Sequence, residues 1–387
     1  MEITRDSNMK QVLRSILDME HPTRTALAKR LSLSQSGMTR IIGQLQALNL
    51  VYEYASIDIK RGRHPVELRV NTDIGAVIAL RINRDYTSAA LCTIDGRVLW
   101  KASEPISAAD GPETALKAIA ALIRKAVAQS PLPIPAIGIA LPGPFDVHKE
   151  RIAMMSGFPG WAEVDLKARL KEQFDYPIFL EHDANCGARA ETSYGKYRHI
   201  NSMVYILCDR GIGAGIILEN GLYSNPRGFT GELGHVSINA LGQRCECGNN
   251  GCLELYASSG ALEREYRREL FEQNLSSDGW TKADDIYRLV REGNEPARRA
   301  FARVCKYLAF GTVSLINLMG PEAVVFDDRI TEGGPYFLQC VKKTLKQHLL
   351  PEIYDNLVVD VSSLAGDAVM IGAAALAFEK VLDESLL

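Results

Sequence analysis

The chain has 387 residues, of which 47% are hydrophobic and 24% charged, and its formal net charge is −3. This composition is typical of a globular protein, and the length predicts two or three domains. No apolar run approaches the roughly 18 residues of a membrane span, and the start, "MEITRDSNMKQ", lacks the apolar core of a signal peptide. We therefore expect a soluble cytoplasmic protein, not a membrane protein.

Charge is distributed unevenly along the chain. Residues 1–65 carry ten Lys or Arg against six Asp or Glu, whereas the remaining residues carry 34 against 41. The negative net charge argues against a polyanion as partner of the whole molecule. A basic front end on an acidic body instead predicts that only the first segment meets a polyanion such as DNA.

The segment "TALAKRLSLSQSGMTRIIGQLQALNLV" predicts two helices around a short turn, which is a helix-turn-helix. Ser34 is suited to cap the second helix, because its hydroxyl can accept a free backbone N–H of the first turn. The apolar positions from Met38 to Leu48 are expected to face the core. The outward side chains suited to base edges and phosphates of the major groove are Gln35, Ser36, Thr39 and Arg40.

A hairpin is expected next, in "VYEYASIDIKRGRHPVELRVN", where two alternating segments are joined by residues 60–65. Arg61 and Arg63 flank a glycine and can lie in a narrow minor groove, where the negative potential is strongest. Three helices with a basic loop also occur in protein-interaction modules. The terminal position, the local charge and the "RGR" loop favour a winged helix-turn-helix over residues 1–70 that binds double-stranded DNA.

One histidine and three cysteines cluster within "GELGHVSINALGQRCECGNNGCLE". His235, Cys245, Cys247 and Cys252 supply four ligands, which is the number that a closed tetrahedral zinc site needs. The Cys-x-Cys spacing differs from the usual Cys-x-x-Cys knuckle, and a disulfide is the main alternative. A disulfide would leave an odd thiol and would need an oxidising compartment.

From about residue 76, short apolar strands alternate with helices, which indicates an α/β body. Seven segments of this body are distinctive: "GIALPGPFD", "GFPGW", "EHDANCGARAE", "GIGAGIILENGLY", "GELGHVSI", "CECGNNGCLELYAS" and "GDAVMIGAAALA". They stand in the order found in the ROK family of bacterial sugar kinases and sugar-responsive repressors. The chain resembles this family from about residue 75 to its end.

The resemblance implies a two-lobed, actin-like fold (ribonuclease H-like, hexokinase-type) behind the winged helix-turn-helix. We expect the first lobe in residues 71–190 plus 365–387, and the second lobe, with a zinc-binding loop, in residues 191–364. The resemblance also implies that the four clustered side chains bind zinc. Because all four ligands are protein side chains, the ion should be structural.

The resemblance further implies a sugar pocket. The sugar-contacting positions of the family correspond here to Gly160, Asp183, Glu232, His235 and Glu254. Asp183 matches the catalytic base of the kinases and could also cap a helix, while His182 stands where the kinases usually have Asn. In the "GFPGW" loop, Phe158 and Trp161 could equally belong to the core.

The phosphate-binding turns of the family's kinases are changed in this sequence. The first, Asp-Gly-Gly-Thr in the kinases, lies in "RINRDYTS", which has no glycine, and the second is Asp209-Arg210-Gly211. At the third turn Asp327 and Asp328 replace glycine, so that carboxylates face the expected place of the phosphates. We therefore predict a degenerate kinase without catalytic residues, in which Arg84 or Arg210 could still meet a phosphate.

The expected function is a sugar-responsive transcriptional regulator, a repressor of carbohydrate uptake or metabolism genes. Hexosamine, glucose and their 6-phosphates are the first candidates for the effector. Two alternatives stay open: release from DNA by contact with a phosphotransferase transporter domain, and an active sugar kinase with a DNA-binding appendage. A homodimer or homotetramer is expected, because a two-fold dimer would match a near-palindromic operator.

Replacing Arg61 and Arg63 together with Ala should weaken operator binding, most of all at sites with A/T-rich flanks. The reason is that narrow minor grooves in such DNA attract guanidinium groups. The measurement is operator affinity on matched A/T-rich and G/C-rich flanks at one fixed salt concentration. Equal affinity of variant and parent chain on every flank would contradict the predicted wing.

Overall fold

The computed structural model describes residues 2–55, 66–146, 148–155, 157–225, 228–275, 279, 281–364 and 366–386. The helices in these ranges are α1 (Glu2–Asp18), α2 (Arg24–Arg30), α3 (Gln35–Ala47), α4 (Gly111–Gln129), α5 (Leu166–Lys171), α6 (Asp183–Ser193), α7 (Glu254–Ala257), α8 (Ser259–Glu272), α9 (Ala283–Glu292), α10 (Glu295–Met319), α11 (Pro335–His348), α12 (Pro351–Tyr354) and α13 (Ala368–Leu386). None of these helices combines the length and the apolar character needed to cross a bilayer.

The strands belong to the N-terminal domain and to the body. They are β1 (Val51–Ala55), β2 (Val66–Val70), β3 (Ala76–Ile82), β4 (Tyr86–Thr93), β5 (Val98–Pro105), β6 (Ile137–Leu141), β7 (Phe145–Asp146), β8 (Arg151–Ile152), β9 (Ile178–His182), β10 (Met203–Cys208), β11 (Ile212–Leu218), β12 (Gly221–Leu222), β13 (Ala323–Asp327) and β14 (Val358–Val361). Strands β3, β6, β10 and β13 are buried along their whole length, as expected for the centre of a covered sheet.

The N-terminal domain comprises α1 to α3 and the hairpin of β1 and β2. Ser34 caps α3 as predicted, since its Oγ accepts the backbone N–H of Gly37 at 3.1 Å. Leu48, which was expected inside, is 43% exposed because α3 ends just before it. β1 and β2 pair antiparallel along their whole length. The predicted helix-turn-helix with a hairpin behind it is confirmed, whereas Arg61 and Arg63 lie outside the described residues.

The body contains two five-stranded sheets of the same topology. Their strand orders are β5-β4-β3-β6-β9 and β12-β11-β10-β13-β14. In each sheet an antiparallel meander of three strands continues into two parallel strands. Helices connect the parallel strands, as crossover connections require. The predicted two-lobed α/β fold is confirmed.

Each lobe contributes one helix, called here an exchanged helix, that packs on the sheet of the other lobe. α6 follows β9 of the first sheet but packs on β10 and β11 of the second, whereas α13 follows β14 and packs on β3 and β6. The two helices cross so closely that a Cβ atom at Gly372 would lie 1.7 Å from the carbonyl oxygen of Cys186. The two exchanged helices therefore contact each other directly at Gly372. The lobe boundaries at residues 70, 190 and 364 stay a prediction.

The N-terminal domain rests on the same two helices. Arg14 of α1 donates from Nη2 to Glu379 Oε1 of α13 at 2.9 Å, and Arg189 of α6 pairs with the same carboxylate. Leu13 and Phe378 line an apolar hollow beside these charges. The Glu379 carboxylate of α13 therefore forms ion pairs with both the N-terminal domain and α6.

Candidate functional site

A cavity lies between the lobes, where the carboxyl ends of the central strands meet. Open α/β sheets typically bind ligands at such strand ends. Four of the five predicted sugar-binding residues line the cavity: Asp183, Glu232, His235 and Glu254. The cavity is also lined by residues that were not predicted to bind sugar, namely Arg81, Asn83, Gly143, Asp209 and Asp328.

The "GFPGW" loop lies apart from this cavity. Gly160 is exposed, has a positive φ of 89°, and lies against Pro112 at the start of α4. Phe158 and Trp161 are buried and meet edge to face with ring centroids 5.8 Å apart. The two aromatic side chains therefore belong to the core of the first lobe. The contact of Gly160 with a sugar stays a prediction.

Asp183 is the first residue of α6, directly after β9. Its Oδ1 accepts the backbone N–H of Ala184 at 2.7 Å and lies 3.5 Å from His182 Nε2. Burial raises the pKa of the Asp183 carboxyl above its ordinary value, against the attraction of His182 and Arg81. A half-buried carboxylate that lines a cavity at the start of a helix is suited to accept hydrogen bonds from hydroxyl groups.

His182 is held between two glycines that form opposite walls of the cavity. A Cβ atom at Gly143 would lie 2.7 Å from His182 Nε2 and 2.8 Å from Glu232 Oε1. A Cβ atom at Gly213 would lie 3.0 Å from His182 Cε1. A larger residue at either position would press on the imidazole, so these glycines leave room for the side chains of His182 and Glu232.

Glu232 and His235 lie at the two ends of one short 3-10 turn. The backbone N–H of Phe145 donates to Glu232, while burial raises the pKa of the Glu232 carboxyl against the attraction of His182 and His235. His235 Nδ1 faces Cys245 Sγ at 3.8 Å. Because the ring has only two nitrogens, Nε2 is the one left for a ligand in the cavity.

The four predicted metal ligands converge. The ligand atoms of His235, Cys245, Cys247 and Cys252 all lie within 4.8 Å of one another, and the sulfurs of Cys247 and Cys252 are 3.5 Å apart. Sulfurs bound tetrahedrally at 2.3 Å from a zinc ion would lie about 3.8 Å apart. None of the described cysteines forms a disulfide, which was the alternative. The cluster can hold a metal ion.

The chain reaches this geometry through a tight loop. Gly248 and Gly251, which lie between the cysteines, both adopt positive φ, at 93° and 65°. A Cβ atom at Gly251 would lie 1.7 Å from the carbonyl oxygen of Asn239, so the loop closes on itself there. The loop therefore brings the four side chains together between Glu232 and Glu254, and an ion held by them would fix this segment.

On the opposite side of the cavity, Arg81 of the first lobe pairs with Asp328 of the second. Arg81 Nη2 lies 2.5 Å from Asp328 Oδ2, and both side chains are only 9% exposed. The neighbouring Asp327 accepts the Tyr205 hydroxyl. Sequence reasoning missed the ion pair. Its signal was an arginine inside the otherwise apolar strand "AVIALRI", because a buried charge requires a partner.

Asp209, in the second predicted phosphate turn, also bonds to the protein itself. Its Oδ1 accepts the Ser259 hydroxyl at 2.6 Å, and its Oδ2 lies 3.4 Å from Asn83 Nδ2 across the cleft. Burial, with the neighbouring charge of Asp328, raises the pKa of Asp209 to about 6. The turn positions of the two lobes are thus bonded to each other.

Arg84 and Arg210 continue this contact toward the mouth of the cleft. Arg84 Nη1 donates to the carbonyl oxygen of Arg210 at 2.9 Å, and its Nη2 lies 3.5 Å from Glu254 Oε2. Arg210 Nε donates to Asp85 at 3.2 Å. The two arginines that could meet a phosphate therefore have protein partners.

On the N-terminal domain, the predicted DNA-reading residues share the exposed face of α3. These are Gln35, Ser36, Thr39 and Arg40. The opposite face, with Met38 and Ile42, is fully buried. Contact of the exposed face with DNA stays a prediction.

Comparison with known proteins identifies the body. The sequence model of the ROK family matches residues 77–380, which is most of the chain. The chain belongs to the ROK family. The resemblance carried by the seven sequence segments is thereby confirmed.

Members similar to this ROK protein include regulators and kinases. It is 29% identical over 390 residues to the xylose repressor of Caldicellulosiruptor bescii, covering 98% of this chain and 97% of the repressor. A ROK family transcriptional regulator, homologous to the Escherichia coli Mlc protein, matches with a TM-score of 0.80 and 25% identity, over 100% of this chain and 98% of that one. A Streptomyces griseus ROK glucokinase, solved with glucose and AMPPNP, matches with a TM-score of 0.72 and 25% identity, over 79% and 100%.

Replacing Arg81 with Met should destabilise this ROK protein by about 3–5 kcal/mol, because it leaves Asp328 buried without a partner. Adding Asp328→Asn should recover most of that loss. The measurement is the free energy of unfolding in urea. Arg169→Met, which breaks the exposed pair with Glu113, is the control and should cost at most about 1 kcal/mol. Equal losses at the two pairs would show that the buried pair does not hold the lobes.

Proposed function

We propose that this ROK protein is a sugar-responsive transcriptional repressor of carbohydrate uptake or metabolism genes. The observation that carries the proposal is the division of the cleft. The predicted hydroxyl-binding residues line a cavity, whereas the residues of the phosphate turns bond to one another across the lobes. Similarity to a xylose repressor over nearly the whole of both chains supports the same function.

In this proposal α3 enters the major groove of operator DNA. The side chains that meet base edges and phosphates are Gln35, Ser36, Thr39 and Arg40. Their shared exposure on one face of α3 supports this role. Arg61 and Arg63 contact the minor groove. A homodimer, or a homotetramer containing it, presents two such helices to a near-palindromic site.

The effector is proposed to be a sugar or sugar phosphate in the cavity. Its hydroxyl groups bond to Asp183, Glu232, His235 and Glu254, because each carboxylate can accept two neighbouring hydroxyls and His235 offers one ring nitrogen. The partial burial of Asp183 and Glu232, which raises the pKa of both carboxyls, supports this role, since a desolvated carboxylate gains from a hydrogen-bonding ligand.

We propose further that the protein transfers no phosphoryl group. Phosphoryl transfer relies on donors and cations that surround the phosphates. Asp209, Asp327 and Asp328 instead put carboxylates at the corresponding turns, and Arg81 is already paired with Asp328. The cleft in this proposal senses a sugar without reacting with it.

The metal is proposed to be a structural zinc ion. One histidine and three thiols are a donor set that zinc prefers, and four protein ligands leave no open position for a water. His235, Cys245, Cys247 and Cys252 would hold the ion. The ion would fix the loop between Glu232 and Glu254 and so hold two of the proposed sugar contacts at their spacing.

Metal analysis of the full chain should find about one zinc per chain. Cys247→Ser should lower the zinc content, the melting temperature and the sugar affinity together, because the loop loses one of its four ligands. Cys340→Ser, a half-buried cysteine outside the cluster, is the control and should retain the zinc. Three freely reactive thiols at Cys245, Cys247 and Cys252 in metal-replete protein would rule the zinc site out.

The sugar effector should raise the melting temperature of the protein and lower its operator affinity. Glu232→Gln keeps the shape but removes the charge, and should weaken sugar binding by about 1.5–3 kcal/mol, the contribution of a charge-assisted hydrogen bond. Operator affinity without sugar should not change. Glu163→Gln, on an exposed turn, is the control and should leave both affinities unaltered.

Three results would contradict this proposal or favour one of its alternatives. If xylose, glucose, hexosamine and their phosphates all leave melting temperature and operator affinity unchanged, the chain is not a sugar sensor. Release from DNA by a phosphotransferase transporter domain in the same assay would then identify control by protein contact. ADP release with sugar and ATP above about 1 per second would identify a working kinase.

A further inference from the structure

A second, larger cavity lies directly outside the sugar cavity. The inner cavity has a volume of about 40 Å³ and the outer one about 450 Å³. Arg84 and Glu254 line both, so the contact between Arg84 Nη2 and Glu254 Oε2, at 3.5 Å, is the partition between them. A ligand seated against Glu254 on the inner side therefore lies next to the outer cavity.

The outer cavity is walled by hydrogen-bonding groups. A Cβ atom at Gly260 would lie 3.6 Å from Arg264 Nη1 and 3.7 Å from Arg210 Nη1, so two guanidinium groups converge over the first turn of α8. The Ser258 hydroxyl lies 3.8 Å from the same point, and Ser107 lines the opposite wall. The wall thus offers both donors and acceptors, which suits hydroxyl groups because they both donate and accept.

The charges of this wall balance. Three arginines and three carboxylates line the outer cavity: Arg84, Arg210, Arg264, Asp85, Glu246 and Glu254. Several are already paired with one another, as in the contacts of Arg84 with Glu254 and of Arg210 with Asp85. A wall with equal numbers of positive and negative groups favours an uncharged polyhydroxyl group over a phosphate, which would meet repulsion as well as attraction.

We propose that the effector spans both cavities and is a disaccharide or longer oligosaccharide. This inference rests on the proposed sugar-sensing function. The end of the effector whose hydroxyl groups meet Asp183, Glu232 and His235 enters the inner cavity, and the rest of the molecule lies in the outer cavity between Arg264 and Ser107. The outer volume is within the range of small-molecule sites, roughly 300–1,000 Å³.

Calorimetric titration of the full chain with matched sugars tests the proposal. The probes are xylose and xylobiose, glucose and cellobiose, and glucose 6-phosphate. At least one disaccharide should bind tenfold or more tightly than its own monosaccharide unit. Equal affinity within both pairs would overturn the proposal and leave the sensing of a monosaccharide intact. Tightest binding by glucose 6-phosphate would also overturn it, because the outer cavity would then hold an anion.

A substitution at Gly260 tests the outer cavity separately from the inner one. Gly260→Leu fills the outer cavity at a point with room for a Cβ atom and touches no residue of the inner one. It should remove the advantage of the disaccharide and leave monosaccharide affinity unchanged. Gly260→Ala is the matched control and should keep most of the advantage. An undiminished disaccharide advantage in Gly260→Leu would overturn the proposal, and binding of no sugar by the parent chain would overturn the proposed function as well.

Discussion

One buried guanidinium determines how the two lobes meet. Arg81 belongs to the first sheet and Asp328 follows the second, and each would be costly in the cleft without the other, because a buried unpaired charge destabilises by several kcal/mol. The pair holds the strand ends of both sheets within hydrogen-bond distance. The contacts of Asn83 with Asp209 and of Arg84 with Arg210 follow from that spacing.

The cleft consequently contains carboxylates in two settings. Glu232 and Asp183 are half-buried, line the cavity and accept the backbone N–H groups of Phe145 and Ala184. Asp209 and Asp328 line the same cavity but bond across the lobes to Asn83 and Arg81. The same residue type thus faces the cavity in one setting and joins the two lobes in the other.

Sequence patterns predicted the features whose interacting residues lie close together in the chain. The cap at Ser34 and the convergence of His235 with Cys252 each depend on a short segment, so local spacing was sufficient. The ion pair of Arg81 and Asp328 joins residues 247 positions apart, and depends on how two sheets with exchanged helices face each other. In the Gly160 loop, the structure buries the Trp161 side chain in the core, whereas the sequence alone left open whether this side chain belongs to the core or contacts a sugar.

The ion pairs of Glu379 connect the helix that begins at the cavity with the N-terminal domain. α6 begins at Asp183 in the cavity, and six residues on, roughly 9 Å along the axis at 1.5 Å per residue, Arg189 meets Glu379 beside Arg14 of the N-terminal domain. This part of α6 therefore connects the cavity to the N-terminal domain. Thermodynamic coupling is reciprocal, so in a repressor built this way operator DNA must alter the affinity for the effector by the same factor as the effector alters the affinity for DNA.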